Sequence, residues 1–361
     1  MPATLSSRER VKRALERRPH DRIPRHETIW GQTIERWQTE GLEGGVEAVL
    51  EHLQSDFARL SPFFWPSPYP GREEIIEETE TTKVIRDQWG TTLRYFKQRA
   101  GTPEALGCEC DSPEVWETRF KPIIQNGGPV VDPAPWREAL AAARQRDKWA
   151  HLIAVEPFEV LRAMIGDEET MIGIKEDPEW IRDMAVTTTD YTLRQLEAHY
   201  QAGIEGDGLW VYGDMAFNHS TMCSPDDYRN LIWPEHKRLC DWAHSKGMHF
   251  IFHTDGNVNG VVPLYLEAGF DALQPLESKA GMDIRQLVPQ YGPQLSFFGN
   301  IDIMVLITND LERIEAEVRS KIEAGKQHNG YLYHSDHSVP PQVSWETYQA
   351  VIRMVEQYGD Y

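Results

Sequence analysis

Histidine and aspartate side chains that follow two apolar runs of the sequence are the residues best suited to chemistry. His253 and Asp255 end one run, and His337 follows the last run of the chain. Side chains two positions apart on a strand share a face, so His253 and Asp255 should face one site, and Gly256 allows a sharp turn after them. Two imidazoles, one carboxylate and an open position are typical of zinc acting as a Lewis acid. We therefore predict that His253, Asp255 and His337 bind a divalent metal, with zinc as the expected ion.

Other acidic and aromatic side chains stand at the ends of further apolar runs. Unpaired buried carboxylates are costly, so their accumulation at strand ends indicates a site rather than a stabilising feature. We expect catalytic roles for Asp214, Glu277 and His337, which would handle a proton or orient a cationic substrate. The side chains expected to bind substrate are Glu27, Trp30, Glu156 and Tyr212.

Each of these residues also has a structural interpretation. Asp214 and Asp302 could cap helices or bond loop amides, and Glu277 could be a solvated loop residue. A lone His253 would more often be a satisfied interior histidine, but Asp255 and the later His/Asp cluster favour the metal. The histidines that lack such neighbours, and that we interpret as structural, are His26, His219 and His236.

Apolar runs that alternate with capped helical segments predict the scaffold. Candidate strands lie near 21–30 and 57–60 and at 151–156, 208–214, 249–253, 272–276, 295–300 and 331–334. Helix starts are predicted at Ser6, Asp177, Ser224, Asn309 and Ser344. Strands alternating with helices imply a parallel sheet. We predict an α/β fold, a (β/α)8 TIM barrel with an N-terminal helix and a β-hairpin inserted at 73–96, in a single domain of residues 1–361. Catalytic groups of such barrels lie at the C-terminal ends of the strands.

The composition restricts the class of protein. A chain of 361 residues with 40% hydrophobic residues is long enough for one barrel with a full core. A formal net charge of −20 disfavours nucleic acid as a partner. No run approaches the ~18 apolar residues of a membrane span, and the chain begins with a charged helix rather than a signal segment. The four cysteines form no disulfide framework. We expect a cytoplasmic protein that acts on a small molecule. The sequence leaves open whether it forms a homodimer.

Several short motifs resemble the uroporphyrinogen decarboxylase superfamily, including its corrinoid-linked methyltransferase branch. The similarity extends over most of the chain, and its strongest motifs are HTDGN at 253–257, GFDALQP at 269–275, FGNID at 298–302 and DHSVP at 336–340. In the thiol-activating methyltransferases of that family, a His-x-Cys-Gly motif and a later cysteine bind zinc. Here the first motif is His253-x-Asp255-Gly256, and the later position falls at or beside His337. The resemblance therefore implies a metal site with a harder, more oxygen-rich donor set.

The resemblance implies methyl transfer rather than decarboxylation. The decarboxylases carry an arginine-rich Met-Arg-Gln-Ala-Gly-Arg stretch after the proline that matches Pro24, whereas this chain has RHETIW at 25–30. The implied function is a metal-assisted methyltransferase that moves a methyl group between a small methylated substrate and a corrinoid protein or other acceptor. Aromatic side chains that could line the pocket beside a cationic amine are Trp30, Phe63, Phe64 and Trp65. The alternatives are a cofactor-independent decarboxylase or lyase of the uroporphyrinogen decarboxylase type, and a barrel that binds a ligand without turnover.

Overall fold

A seven-stranded parallel sheet forms the centre of the computed structural model, which describes residues 5–62, 64–98, 103–127 and 132–361. The strands in chain order are β1 (Phe57–Arg59), β2 (Glu74–Glu78), β3 (Thr82–Arg86), β4 (Thr91–Phe96), β5 (Glu104–Cys108), β6 (Trp149–Val155), β7 (Gly208–Tyr212), β8 (His249–Thr254), β9 (Ala272–Pro275), β10 (Ser296–Phe298) and β11 (Tyr331–Leu332). The central sheet has the order β1-β6-β7-β8-β9-β10-β11, so each strand lies beside the strand of this sheet that follows it along the chain. All six runs predicted after residue 150 overlap one of these strands.

The predicted first strand lies where an eighth strand would complete the curl of this sheet. Tyr333 N–H donates to Pro24 O at 2.8 Å, and His26 N–H donates to Tyr333 O at 3.1 Å. On the other side, Asp56 N–H donates to Arg25 O at 2.9 Å, immediately before β1. The contacts with Tyr333 form an isolated bridge rather than a regular strand. The α/β class and a barrel-like parallel sheet are therefore confirmed, whereas a closed eight-stranded barrel remains a prediction.

Helices connect the strands of the central sheet. The α-helices of the described residues are α1 (Ser7–Leu15), α2 (Gly31–Thr39), α3 (Val46–His52), α4 (Pro113–Val115), α5 (Lys121–Asn126), α6 (Ala134–Gln145), α7 (Pro157–Ile165), α8 (Asp167–Glu176), α9 (Pro178–Gln201), α10 (Pro225–Leu231), α11 (Trp233–Ser245), α12 (Val262–Ala268), α13 (Ile284–Tyr291), α14 (Ile303–Leu306), α15 (Leu311–Gly325) and α16 (Trp345–Gly359). Within the described ranges, none of them combines the length and apolarity that a membrane crossing requires.

The capping residues predicted from the sequence are mostly correct. Side-chain caps are present at Ser6, Asp177, Ser224 and Ser344. The prediction at Asn309 is wrong by one residue, because Asp310 accepts the backbone N–H groups at the start of α15. These caps satisfy N–H groups that have no partner within the helix.

An antiparallel sheet of four strands replaces the predicted hairpin. Its order is β2-β3-β4-β5, and β5 joins the edge of β4 with Arg94 opposite Glu104. The prediction ended at Phe96 because the sequence of β5 lacks the alternation of β-branched and polar residues seen in β2 and β3. Thr91 Oγ1 donates to Ala163 O at 2.7 Å and connects this sheet to α7.

Aromatic and imidazole rings fill the inner side of the central sheet. Phe57 stacks on Phe298 with ring centroids 5.1 Å apart, and Trp210 lies 5.2 Å from Phe298. The ring of His151 lies 5.2 Å from Trp210, and that of His334 lies 5.6 Å from Phe298. Burial lowers the pKa of both histidines to about 3, so both imidazoles are neutral at pH 7. These rings lie below the polar strand ends.

Candidate metal centre and the cavity beside it

Three side chains from the ends of β7 and β8 converge on one point. One ligand atom each of Asp214, His253 and Asp255 lies within 4.8 Å of the other two. His253 Nε2 is 3.8 Å from Asp214 Oδ1. The two strands are hydrogen-bonded neighbours with Tyr212 opposite His253, so Asp214 and Asp255 follow matching points of adjacent strands. These three side chains lie close enough to one another to hold a metal ion.

The third side chain of this group differs from the predicted one. His337 lies beside the group, with its Nε2 3.9 Å from Asp255 Oδ2, and Asp214 takes the predicted position. His337 comes from the loop after β11, and two strands separate β11 from β8. Asp214 follows β7, which is adjacent to β8, so the order of strands in the sheet brings it closer. His337 lines the same cavity as His253.

Neighbouring groups orient two of the three potential metal ligands, His253 and Asp214. His253 Nδ1–H donates to Gln274 Oε1, which leaves Nε2 for the site. Asp255 N–H donates to Asp214 Oδ1 at 3.0 Å, and Tyr212 OH donates to Asp214 Oδ2 at 3.4 Å. Hydrogen bonds of this kind hold the ring and the carboxylate in the orientation that a metal ligand needs.

The turn after Asp255 depends on Gly256 and Glu277. Gly256 has a φ of +81°, and a Cβ at this position would lie 2.4 Å from Ala216 O. Its N–H donates to Glu277 Oε2 at 2.9 Å, and Lys279 Nζ lies 2.7 Å from Glu277 Oε1. Glu277 is buried and is not among the described residues that line the cavity. This carboxylate therefore positions the turn that carries Asp255.

Asp255 is the member of the group with an unsatisfied oxygen. Its Oδ1 is buried and has no hydrogen-bond partner among the described residues. Burial raises the pKa of Asp255 to about 6; Asp214 and Glu277 raise it further, while His253 and His337 oppose the shift. A cation at this point would replace the missing partner and favour the charged carboxylate. The residues present therefore fit a divalent ion.

A cavity of about 880 Å³ joins the strand ends to the interior of the sheet. This volume is typical of a small-molecule site. The predicted site residues that line it are Glu27, Tyr212, Asp214, His253, Asp255 and His337. Trp30 packs edge-on against His337 with ring centroids 5.7 Å apart, at the same end of the sheet.

Two carboxylates predicted to bind substrate are engaged by the protein itself. Glu156 caps α7 by accepting the N–H of Phe158 at 2.8 Å, and its Oε2 lies 2.9 Å from His236 Nε2, with both side chains fully buried. It is not among the described residues that line the cavity. Glu27 does line the cavity, but Ser335 Oγ donates to its Oε1 at 2.8 Å. Burial raises the pKa of Glu27 to about 8, so this group is mainly neutral at pH 7.

The aromatic side chains Phe64 and Trp65, expected to line the pocket, are not the ones that the structure shows along the cavity. Phe64 is 2% exposed within the core, and neither it nor Trp65 is among the described residues that line the cavity. Phe63 lies outside the described residues. Trp210 and Tyr212, on the inner face of β7, line the cavity instead.

Sequence reasoning assigned no role to Arg59, His151 or Gln274, which also line the cavity. Each lies on a strand, two positions from another side chain of the same face. Strand alternation could have identified them once the inner face of each strand was known. Their types carried no separate signal, because a lone arginine or histidine in an apolar run is compatible with many structural roles.

Comparisons with known proteins identify the family. The family model described as uroporphyrinogen decarboxylase (URO-D) matches residues 95–358. A methyltransferase from Methanosarcina mazei shares the fold, with a TM-score of 0.69 at 18% identity over 98% of this chain and 99% of that chain. The apo form of a 3-keto-D-glucoside 4-epimerase from E. coli gives a TM-score of 0.36 at 12% identity, over 62% of this chain and 83% of that chain. A search of curated proteins finds no match. The matched residues make up well over half of the chain, so the chain belongs to the uroporphyrinogen decarboxylase family.

Proposed function

We propose that this protein is a metal-assisted methyltransferase that moves a methyl group from a small methylated substrate to a corrinoid protein or another acceptor. The observation that carries the proposal is the group of Asp214, His253 and Asp255 beside a cavity of about 880 Å³. The fold shared with a methyltransferase supports it. The corrinoid acceptor rests on the motif resemblance, and the cytoplasmic location and the homodimer remain predictions.

Asp214, His253 and Asp255 would hold one divalent ion, with zinc as the expected ion. Two carboxylates and one imidazole form a harder donor set than thiolates, so other divalent ions belong in the test. A bound ion would supply Lewis acidity toward the heteroatom that carries the methyl group. The Oδ1 atom of Asp255, which has no partner among the described residues, supports this assignment.

A corrinoid acceptor would supply the electron pair for the new bond to the methyl group, whose former bonding electrons stay on the heteroatom of the substrate. A neutral donor would then need one proton at that heteroatom, whereas a quaternary amine would leave as a neutral amine. His337 lines the cavity with a side chain that is 32% exposed, so we assign proton delivery to its imidazole. Glu277 acts through Gly256 as a positioning residue.

Metal analysis of the purified protein tests the centre. We expect stoichiometric divalent metal in the wild type and its loss in His253→Ala and Asp214→Asn. His337→Ala should keep the metal, because this imidazole lies outside the group of three. His219→Ala removes an exposed histidine and is the matched control. Equal metal content in all variants, or none in wild type produced with added zinc, would contradict the proposal.

Transfer to free cob(I)alamin tests the reaction. Methoxy-aromatics, methylamines and thioethers serve as methyl donors, and the loss of cob(I)alamin absorbance reports methylation. We expect activity with one of these classes, a large loss in His253→Ala and none in His219→Ala. Inactivity with every donor, also in the presence of a reconstituted corrinoid protein, would reject methyl transfer.

A cofactor-independent decarboxylase or lyase is the second candidate. The cations Arg59, Arg146 and Lys148 line the same cavity and suit a carboxylated substrate. This candidate predicts carbon dioxide release from a porphyrinogen or another carboxylated ring without corrinoid and with no loss on chelation. Measuring that release with and without a chelator separates the two candidates.

A further inference from the structure

The cavity carries charges of both signs. Asp214 and Asp255, the two carboxylates of the proposed metal centre, line it together with the cations Arg59, Arg146 and Lys148. The other carboxylates of the lining are Glu27, Glu47 and Glu51. Arg146 belongs to the outer rim, where its Nη2 lies 3.0 Å from Glu51 Oε1 and both side chains are more than half exposed. A ligand that complements both Arg59 and the proposed metal centre carries a metal-binding or cationic group at one end and an anion at the other.

Arg59 occupies the end of β1 on the inner side of the sheet. It follows Phe57 by two residues, and Phe57 stacks on the interior ring of Phe298, so Arg59 leaves the strand on that same face. Its Nε donates to Ser61 O at 2.7 Å, and the residue is exposed although it lines a cavity. The planar guanidinium matches the geometry of a carboxylate better than an ammonium group does.

His151 lies beside Arg59 in the register of β1 and β6. Its Nδ1 is buried and has no hydrogen-bond partner among the described residues. Burial lowers the pKa of His151 to about 3, and the charge of Arg59 adds to this shift, so the ring is neutral at pH 7. Positive charge on this pair of residues therefore comes from Arg59, and His151 contributes a polar but uncharged wall.

Two aromatic side chains lie between the pair of Arg59 and His151 and the proposed metal centre. Trp210 lies 5.2 Å from the ring of His151, and Tyr212, two residues further along β7, lies 5.0 Å from the ring of His253. Two residues of a strand span about 7 Å. The separation suits a flat or slender molecule with functional groups at its two ends, and both aromatic side chains line the cavity.

We propose that the substrate is a small methylated carboxylate whose carboxylate binds Arg59 while its methylated heteroatom faces Asp214, His253 and Asp255. The methylated end rests on the proposed function, whereas the carboxylate site rests on the charge and position of Arg59. Arg59 lines a cavity beside the buried ring of His151, so an ion pair there is screened less than one on the open surface. Arg59 is therefore the residue that selects carboxylates over neutral analogues.

Calorimetric titration of the full-length protein with matched ligand pairs tests this site. The pairs are para-methoxybenzoate, N,N-dimethylglycine and (methylthio)acetate, each against its neutral amide. We expect a carboxylate to bind about tenfold or more tightly than its amide, the size of effect typical of a hydrogen bond to a charged group. Arg59→Gln should remove this preference, and Arg59→Lys should restore part of it. Arg319→Gln, on the exposed side of α15, should not change it.

Equal affinities within every pair would overturn the inference, as would a preference that survives in Arg59→Gln or disappears in Arg146→Gln alone. A loss in Arg59→Gln that is equal for carboxylate and amide would also overturn it, since it would indicate altered cavity shape. The cob(I)alamin assay separates this inference from the proposed function. Methyl transfer from neutral donors alone would keep the function and reject the inference, whereas Arg59-dependent carboxylate binding without any transfer would keep the anion site and reject the function.

Discussion

Replacing Asp255 by Asn tests the electrostatics of the proposed metal centre directly. The carboxyl group is mostly buried, its Oδ1 has no partner among the described residues, and burial raises its pKa to about 6. Asparagine has nearly the shape of the protonated aspartic acid but cannot ionise. The metal-free Asp255→Asn variant should therefore keep the fold and lose the cost of a buried negative charge.

The magnitude follows from the pKa values of Asp255 in the folded and unfolded states. An unfolded aspartate has a pKa of about 3.9, so a folded pKa of about 6 corresponds to about 3 kcal/mol. The folded state holds the proton more tightly, and stability present below about pH 4 is lost as the pH rises to about 6. Above this range, the metal-free wild type should be less stable than Asp255→Asn by up to about 3 kcal/mol.

Urea unfolding of chelator-treated protein between about pH 4.5 and pH 8 measures this difference. The two proteins should converge toward the acidic end and separate as the pH rises. Added zinc should reverse the order, because a ligand at a thousandfold excess over its Kd stabilises the folded wild type by about 4.1 kcal/mol. The control is Asp241→Asn, whose carboxylate is 57% exposed, and it should shift neither comparison.

Two results would refute this reasoning about Asp255. One is a metal-free Asp255→Asn variant that is less stable than wild type at about pH 8, which would mean that the charged carboxylate stabilises the fold. The other is equal stabilisation of variant and wild type by zinc, which would place the bound metal elsewhere.

Three further changes test the structural roles assigned above. Glu156→Ala should lower the free energy of unfolding by about 3 kcal/mol, because it leaves His236 buried without its partner; urea unfolding measures this loss, and unchanged stability would contradict the structural role. Gly256→Ala should lower stability by more than about 1 kcal/mol and weaken zinc binding, because its Cβ would meet Ala216 O, and zinc titration measures the second effect. Glu27→Gln should reduce the loss of stability that wild type shows as the pH rises from about 4.5 to about 8, since burial raises the pKa of Glu27; thermal unfolding across this range would show equal slopes if the assignment is wrong.

Local patterns were sufficient to predict most elements of the central sheet. β8 covers His249–Thr254 and was predicted at 249–253, because a short apolar run that is buried on both faces is typical of a parallel strand. β5 was missed because its sequence, EALGC, has no strand signature of its own, and it becomes a strand by pairing with β4. A propensity scale cannot detect a strand that depends on its partner.

The roles of individual carboxylates were less predictable than the strands that carry them. Asp214 and Glu156 both follow apolar runs and look equivalent in the sequence. In the folded chain, Glu156 caps α7 and contacts His236, whereas Asp214 joins His253 and Asp255. The difference lies in which neighbours each side chain meets.

The residue types available for chemistry, and the shared face of His253 and Asp255, are local properties of the sequence that do not depend on the rest of the fold. Alternation along a strand follows from backbone geometry and requires no partner. That Asp214 lies closer to this pair than His337, and that Arg59 lines the same cavity, depends on sheet order and on packing between distant segments. Distances between such segments are properties of the whole fold, so no local pattern could have specified them.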